Sequence, residues 1–420
     1  MAKFRITGQE KLEGKITVGG AKNSALKILQ AAILADSPST ISNVPDILDI
    51  NKSLAILASI GARVVFENNV VRIDPTDIHS SHPDEQLMKK LRGSIVLIGA
   101  LLSKFGHAVF SQPGGCLIGS RPIDDHLDLF RQLGVKITQD DCGYNLEGFP
   151  QAGKVVLNKM SVTATENAIL ATVFSKGVTK IHVTAAEPEI ADLANYLNKM
   201  GAKISGAGSH VITVEGVEKL SGVEYQIMPD RIEAATYLIA AIATNSEVEI
   251  GPLVADDMSL FLKKIDDAGA DLKIIKKDGM EYARTFKHDE LTAESIDTRP
   301  YPGFSTDLQS PYAVLMTQAK GTTNIFETMF EGRFAYLEQI KLMHGQVEIL
   351  NSHEFTVTGP SELQGADVSG ADIRGASALV IAALVAHGET IINDIEFIDR
   401  GYEKMDEKLR AVGAKIERLE

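Results

Sequence analysis

The sequence predicts a two-domain α/β protein. Each domain is expected to hold three repeats of a strand–helix–strand–helix–strand unit, with helices buried inside and sheets outside. Three observations carry this reading. Six times a helical stretch ends at a glycine followed by a short strand, at a spacing of about 70 residues, longer than the usual solenoid period. A second, apolar helix precedes each of these six. The chain has 420 residues, 44% hydrophobic and 23% charged, which suits two globular cores of three repeats each.

The elements follow in order. Met1–Arg5 goes straight into strand-like alternation with no signal-peptide pattern, and the segment up to about Ala21 could pair with either half. The first repeat has the apolar helix "SALKILQAAILA" and the glycine-ended "SIGARVVF" at Gly61. The second has "GSIVLIGALLSKFG", the strand-like "GHAVFSQ" and "QLGVKI" at Gly134. The third has "ENAILATVFSKG", "TKIHVT" and "KMGAKI" at Gly201. A boundary falls near "YQIMPDRIEAA", around Met228–Asp230. Then come "EAATYLIAAIATNS" with "SEVEIG" and Gly269, "SPYAVLMTQAKG" with "TTNIFET" and Gly345, and "ASALVIAALVAHG" with Gly413. Helices apolar nearly all round should be buried on most faces. The six glycines are expected at helix C-caps, where positive φ costs little without a Cβ.

Composition removes several function classes. A net charge of −14 with no basic run makes a poor general binder of nucleic acid. The longest apolar runs, such as Ser94–Ser103, are about ten residues, too short to span a bilayer. Two cysteines, Cys116 and Cys142, give no disulfide framework, so a reducing cytoplasm is expected. "HSSHPDE" (His79–Glu85) lies in a polar linker with no companion cluster and reads as solvated loop, not a metal site. No Gly-rich phosphate loop of the Walker or dinucleotide type is present.

The polar residues sit just before the buried helices. Copy by copy these are Lys22-Asn23-Ser24, Arg92-Gly93-Ser94, Ser161 to Thr165, Asp230-Arg231, Asp307 and Asp372 to Arg374. Such positions offer free N–H groups and partial positive charge. Cations there oppose the helix dipole, so they point to an anionic ligand shared by the six helix starts, or to salt bridges with the neighbouring domain. Arg121, Arg333 in "FEGRF" and Arg400 in "FIDRGYEK" add guanidinium groups suited to phosphate and carboxylate. In "GGCLIGSRPIDDH" (Gly114–His126), a cysteine flanked by glycines and Arg121 is set for chemistry rather than packing.

Lys22-Asn23 after "VGGA", "GGCLIGSRPIDDH", "PGFSTDLQ", "DIRGASALV" and "IDRGYE" closely resemble, in order and over the whole chain, the UDP-N-acetylglucosamine enolpyruvyl transferase family. The resemblance implies the six-unit inside-out α/β fold. It implies a discontinuous domain of residues 1–21 plus 230–420 and a second of residues 22–229 carrying the Cys116 loop. It also implies transfer of the enolpyruvyl group of phosphoenolpyruvate to the 3′-hydroxyl of UDP-N-acetylglucosamine, an early step towards peptidoglycan. No metal or organic cofactor is implied, and no nucleic-acid or membrane partner.

Roles carried over by position remain expectations of that resemblance. Cys116 is the general acid towards C3 of phosphoenolpyruvate, and its reactivity would admit a covalent adduct. Asp307 is the general base near the sugar hydroxyl, and also a candidate N-cap for the helix starting near Ser310. Lys22, Arg121 and Arg400 grip phosphoenolpyruvate, with Asn23 and Arg92 beside them. Asn23, Arg92, Arg121, Pro122, Ile123, Asp124, Asp125 and His126 are expected around the nucleotide sugar, as are Lys159, Ser161, Val162, Thr163, Asp307 and Met329. Arg231, Arg333, Asp372, Arg374 and Glu187 support the site or its closure. Thr163 departs from the pattern, which commonly has glycine after "SV"; a side chain narrows the approach of a diphosphate oxygen but adds a hydroxyl. This reading has two rivals: the 3-phosphoshikimate enolpyruvyl transferase, with the same fold and donor but disfavoured by the loop thiol and "RPIDDH", and an inactive UDP-sugar-binding paralogue, disfavoured by intact Cys116, Asp307, Lys22 and Arg400.

Overall fold

The computed structural model describes residues 2–111, 123–140 and 143–420. Its contacts divide the chain into two units. One joins the N-terminal segment up to Gly19 to Pro229–Glu420; the other lies within Gly20–Met228.

The Gly20–Met228 unit has three buried helices, α1 (Lys22–Ala31), α2 (Leu97–Phe105) and α3 (Val162–Thr172). Arg92–Val96 forms a 3-10 turn running into α2. The other unit has α4 (Arg231–Ala243), α5 (Gln309–Met316) and α6 (Ile373–Val385). All of α5 is buried, as is α6 after its first residue. Helices apolar on every side can satisfy their backbone internally and still fill a core, which explains why they lie inside. Each unit has its own apolar core built around its three helices.

The sheets follow one rule. A parallel strand pair brackets the buried helix, because parallel neighbours need a crossover. Ile296–Asp297 pairs in parallel with Gly321–Phe326 across α5, and Asp367–Ser369 with Glu389–Asn393 across α6. Lys154–Val156 does the same with Val178–His182 across α3. Glu13–Thr17 pairs in parallel with Glu247–Leu253, the strand after α4. Glu224–Gln226 pairs with Ser39–Ser42, the strand that follows α1. The N-terminal strand Lys3–Thr7 lies between Glu389–Asn393 and Lys415–Leu419, placing Phe4 opposite Ile392 and Ile6 opposite Ile416. Strands bury alternate residues, as in Val178–His182 where Thr179 and Ile181 face inward.

Among the described residues, the sheet containing His107–Phe110 has three strands where the others have four. The place of its parallel partner is taken by "HSSHPDE", which contributes one backbone bond, from Val109 N–H to Ser81 O at 3.4 Å. Ser81 Oγ also bonds the His107 ring, and the His82 and His107 rings lie 5.0 Å apart. This segment closes a sheet edge.

Five of the six repeat glycines have positive φ: Gly61, Gly134, Gly201, Gly269 and Gly413. Gly345 does not. There His344 takes the left-handed conformation one residue earlier, at φ 66°. Gly345 is needed for space, since a Cβ would lie 2.4 Å from the Ile340 side chain. Five of the six buried helices start one to four residues before their apolar stretches; the exception is α2, where Arg92–Val96 forms the 3-10 turn instead.

Candidate active site

In the Gly20–Met228 unit cations stand at the start of α1 and of the turn before α2. Lys22 opens α1 and is buried against Asp49, 2.8 Å away. Asp49 lies in the first turn of the helix Leu48–Ser59, where an acid suits the dipole. Asn23 follows, partly exposed, and Ser24 donates to the buried Asp192 carboxylate, which also accepts from Tyr225 at 2.6 Å. One turn on, Lys27 meets Glu166 of α3 at 2.8 Å, with neither side chain more than 6% exposed. Arg92 begins the 3-10 turn before α2, and Gly93 O accepts from Gln30.

Ile123 is buried at the head of the helix Asp124–Gln132. Asp124 is exposed, Asp125 pairs with Lys159 at 2.8 Å, and His126 turns inward. His126 contacts Thr163 Oγ1 at 3.2 Å and Asn167 Nδ2 at 2.9 Å. Burial, then the charges of Arg92, Lys27 and Lys159, hold its pKa down at about 3. Ser161 caps α3, accepting from Ala164 N–H. Val162 and Thr163 are its first two residues. Glu187 precedes the helix Pro188–Met200 and, with Glu189, bears electrostatically on Glu166. Cations, first-turn N–H groups and a hydroxyl on this unit suit anionic oxygens, while the buried acids keep the cations in place.

The Pro229–Glu420 unit centres on Asp307. Its carboxylate lies between two guanidinium groups. Arg374 donates from Nε at 3.1 Å and Nη2 at 2.9 Å to Oδ2, and Arg333 from Nη1 at 3.0 Å to Oδ1. Burial alone would raise the Asp307 pKa, but Arg374 and then Arg333 outweigh it and hold the carboxyl well below the usual range. Asp372 caps α6 through the N–H groups of Arg374 and Gly375, and lies 3.8 Å from Arg333. Arg374 stacks over Tyr402, 5.3 Å from the ring centre. Arg231 opens α4 behind its cap Asp230 and lies over the Tyr301 ring. Arg400 is buried at the end of the short helix Glu396–Asp399.

Glu327 organises the loop that holds Met329. It is fully buried and accepts from Thr298, Thr306, and the N–H groups of Met329 and Phe330, at 2.8, 2.8, 2.7 and 3.1 Å. Thr306 thus gives its proton to Glu327 and accepts from Arg333 at 3.0 Å. A chain of bonds runs from Glu327 to Asp307.

One expectation changes. Asp307 does not cap α5. It lies in a 3-10 turn, Thr306–Leu308, whose start is capped by Ser305, and its carboxylate is committed to the arginines. Lys22, Arg333 and Arg374 each pair with an acid of their own unit. Cys116, Arg121, Pro122 and Cys142 lie outside the described residues. Sequence reading missed Asp49, Lys27, Glu166, Asn167, Asp192 and Glu327. The available signal was polar residues inside apolar runs, as in "ALKIL" and "TENAIL". Among the described residues, no cluster of three or more His, Cys, Asp or Glu could hold a metal ion, and no helix is long and apolar enough to cross a membrane.

Comparison with known proteins gives a consistent answer. The profile of the EPSP synthase (3-phosphoshikimate 1-carboxyvinyltransferase) family matches residues 6–409. UDP-N-acetylglucosamine 1-carboxyvinyltransferase of Halothermothrix orenii is 43% identical over 420 residues, covering 100% of both chains. UDP-N-acetylglucosamine 1-carboxyvinyltransferase 2 of Geobacillus kaustophilus is 43% identical over 417 residues, covering 99% of this chain and 96% of its own. The crystal structure of the enolpyruvyl transferase NikO from Streptomyces tendae superposes with a TM-score of 0.89 at 23% identity, covering 100% and 99% of the two chains. EPSP synthase from Acinetobacter baumannii superposes at 0.75 with 18% identity over the whole of both chains. These likenesses show the enolpyruvyl transferase fold, and with full-length identities above 40% the chain belongs to the UDP-N-acetylglucosamine 1-carboxyvinyltransferase family.

Proposed function

We propose that this enzyme transfers the enolpyruvyl group of phosphoenolpyruvate to the 3′-hydroxyl of UDP-N-acetylglucosamine, releasing phosphate, as the first committed step of peptidoglycan precursor synthesis in the cytoplasm. The observation that carries this is the 43% identity over all 420 residues to an enzyme named for that reaction.

The chemistry is addition followed by elimination. The sugar oxygen bonds to C2 of phosphoenolpyruvate while C3 gains a proton; then the C2–O bond to phosphate breaks and C3 loses a proton. Cys116 is assigned the proton delivered to C3. Asp307 takes the proton of the attacking hydroxyl. Its two arginines make it a weak base, which suits an alcohol whose proton becomes acidic only as its oxygen bonds to an electron-poor C2. Lys22, Arg92, Arg121 and Arg400 balance the phosphate and carboxylate charges, and Lys22 acts where charge develops. Asn23, Pro122 to His126, Lys159, Ser161 to Thr163 and Met329 receive the nucleotide sugar. Arg231, Arg333, Asp372, Arg374 and Glu187 hold these groups in position.

A phosphate-release assay tests the reading. Phosphoenolpyruvate with UDP-N-acetylglucosamine should give turnover, and with 3-phosphoshikimate none. Cys116→Ala should abolish it, while Cys116→Asp, which can also deliver a proton, should retain part. Nucleotide-sugar binding without turnover in the unaltered protein would instead favour an inactive paralogue.

A further inference from the structure

Three hydrogen bonds fix the Asn167 side chain in α3. Gly99 N–H donates to Oδ1 at 2.8 Å, so that atom is the oxygen. The Ile95 carbonyl lies 2.9 Å from Nδ2, so that atom is the nitrogen. A flipped amide would set N–H against N–H and C=O against C=O. The other Nδ2 proton points to His126 Nδ1 at 2.9 Å. A ring nitrogen that accepts carries no proton, so the proton of neutral His126 sits on Nε2. The ring is buried and neutral, as the surrounding cations require. Nε2–H therefore donates to Thr163 Oγ1 at 3.2 Å. Having accepted, the Thr163 hydroxyl keeps its own proton for a further partner, and among the described residues none takes it.

We infer that Asn167 is a positioning residue that acts through His126, which leaves the Thr163 hydroxyl proton available to donate to an anionic diphosphate oxygen of the nucleotide sugar. The inference rests on the function proposed above. Thr163 is the second residue of α3, where N–H groups precede the helical ladder. Lys159, paired with Asp125, bears electrostatically on His126 from the same corner. The threonine that takes room where the family pattern has glycine thus supplies a directed hydrogen bond in return.

Two measurements on the full-length protein decide it. The ¹⁵N spectrum of histidine-labelled protein should show His126 as the neutral Nε2–H tautomer from about pH 5 to about pH 8. A charged ring or an Nδ1–H tautomer overturns the relay. By calorimetry with UDP and with uridine, Thr163→Val should weaken UDP about ten-fold or more and leave uridine unchanged, and Thr163→Ser should bind as the wild type does. Equal UDP affinity in Thr163→Val, or an equal loss for UDP and uridine, overturns the assigned donor. Asn167→Ala should mix the His126 tautomers and weaken UDP more than uridine; an unchanged tautomer removes Asn167 from the relay. If the wild type binds no UDP, the function reading itself fails and the inference with it, an outcome distinct from the others.

Discussion

The buried pair Lys27–Glu166 gives a stability prediction whose sign depends on which of two large effects wins. At 2.8 Å the attraction is about 6 kcal/mol for an effective dielectric constant of about 20. Taking the two ions out of water costs several kcal/mol each. These are of one size, so neighbours decide, and Glu187 and Glu189 both repel a negative Glu166. Burial wins, and the Glu166 pKa rises from 4.5 to about 7. The folded protein then binds a proton that the unfolded chain has already released. This stabilisation is full below about pH 4.5 and is lost as pH rises through about 7, a change of about 3 kcal/mol. Glu166→Gln removes the titration. Urea unfolding should be followed by far-UV circular dichroism, because the chain has no tryptophan. Between about pH 4.5 and about pH 8, the wild type should lose about 3 kcal/mol relative to Glu166→Gln. If the wild type instead gains on the variant as pH rises, the ion pair outweighs burial and the reasoning is wrong.

Asp307→Asn leaves two buried guanidinium groups without their shared anion. Stability should fall by about 3 kcal/mol in the same urea assay, and phosphate release by about 10²- to 10⁴-fold. Glu327→Gln puts an amide nitrogen where one acceptor oxygen stood, so a lost bond should cost about 2 kcal/mol and slow turnover by releasing Arg333. Gly99→Ala would set a Cβ 2.6 Å from the Asn167 carbonyl oxygen, and the melting temperature should fall with a loss of about 1–3 kcal/mol.

The architecture was legible because each repeat says the same thing twice. "EAATYLIAAIATNS" and "ASALVIAALVAHG" are apolar beyond what one helix face needs, so burial all round followed, and both are buried. The glycine rule held where the left-handed residue falls on the glycine and slipped at Gly345, since local pattern does not say which of two adjacent turn residues takes positive φ. The site was legible less evenly. Asp372 and Ser161 stand just before their apolar helices in the sequence and cap them in the structure, because that bond is local. Asp307 read as a cap, but Arg333 is 26 and Arg374 is 67 residues away, and nothing local announces that competition. Asn167 and Glu166 were hidden for the same reason. Inside an apolar helix a polar residue shows that a partner exists without showing which one.

Under the proposed function, the pairing of Lys22 with Asp49 holds that cation ready at a cost in its attraction for ligand. Both side chains are almost fully buried and 2.8 Å apart. The carboxylate orients the ammonium and lowers the field it presents to an anion. Asp49→Asn separates the two effects. The amide still offers an acceptor oxygen, but the balancing charge is gone. An anion that shares Lys22 then meets a stronger field and should bind more tightly, by as much as about ten-fold if about 1.4 kcal/mol of compensation is removed. The step in which charge develops should slow, because the ammonium is no longer held in one place. Steady-state kinetics with phosphoenolpyruvate as the varied substrate should therefore show KM and kcat falling together, the pattern of lost transition-state preference rather than lost binding. A raised KM with unchanged kcat would mean that Asp49 serves only to fold the segment around Lys22.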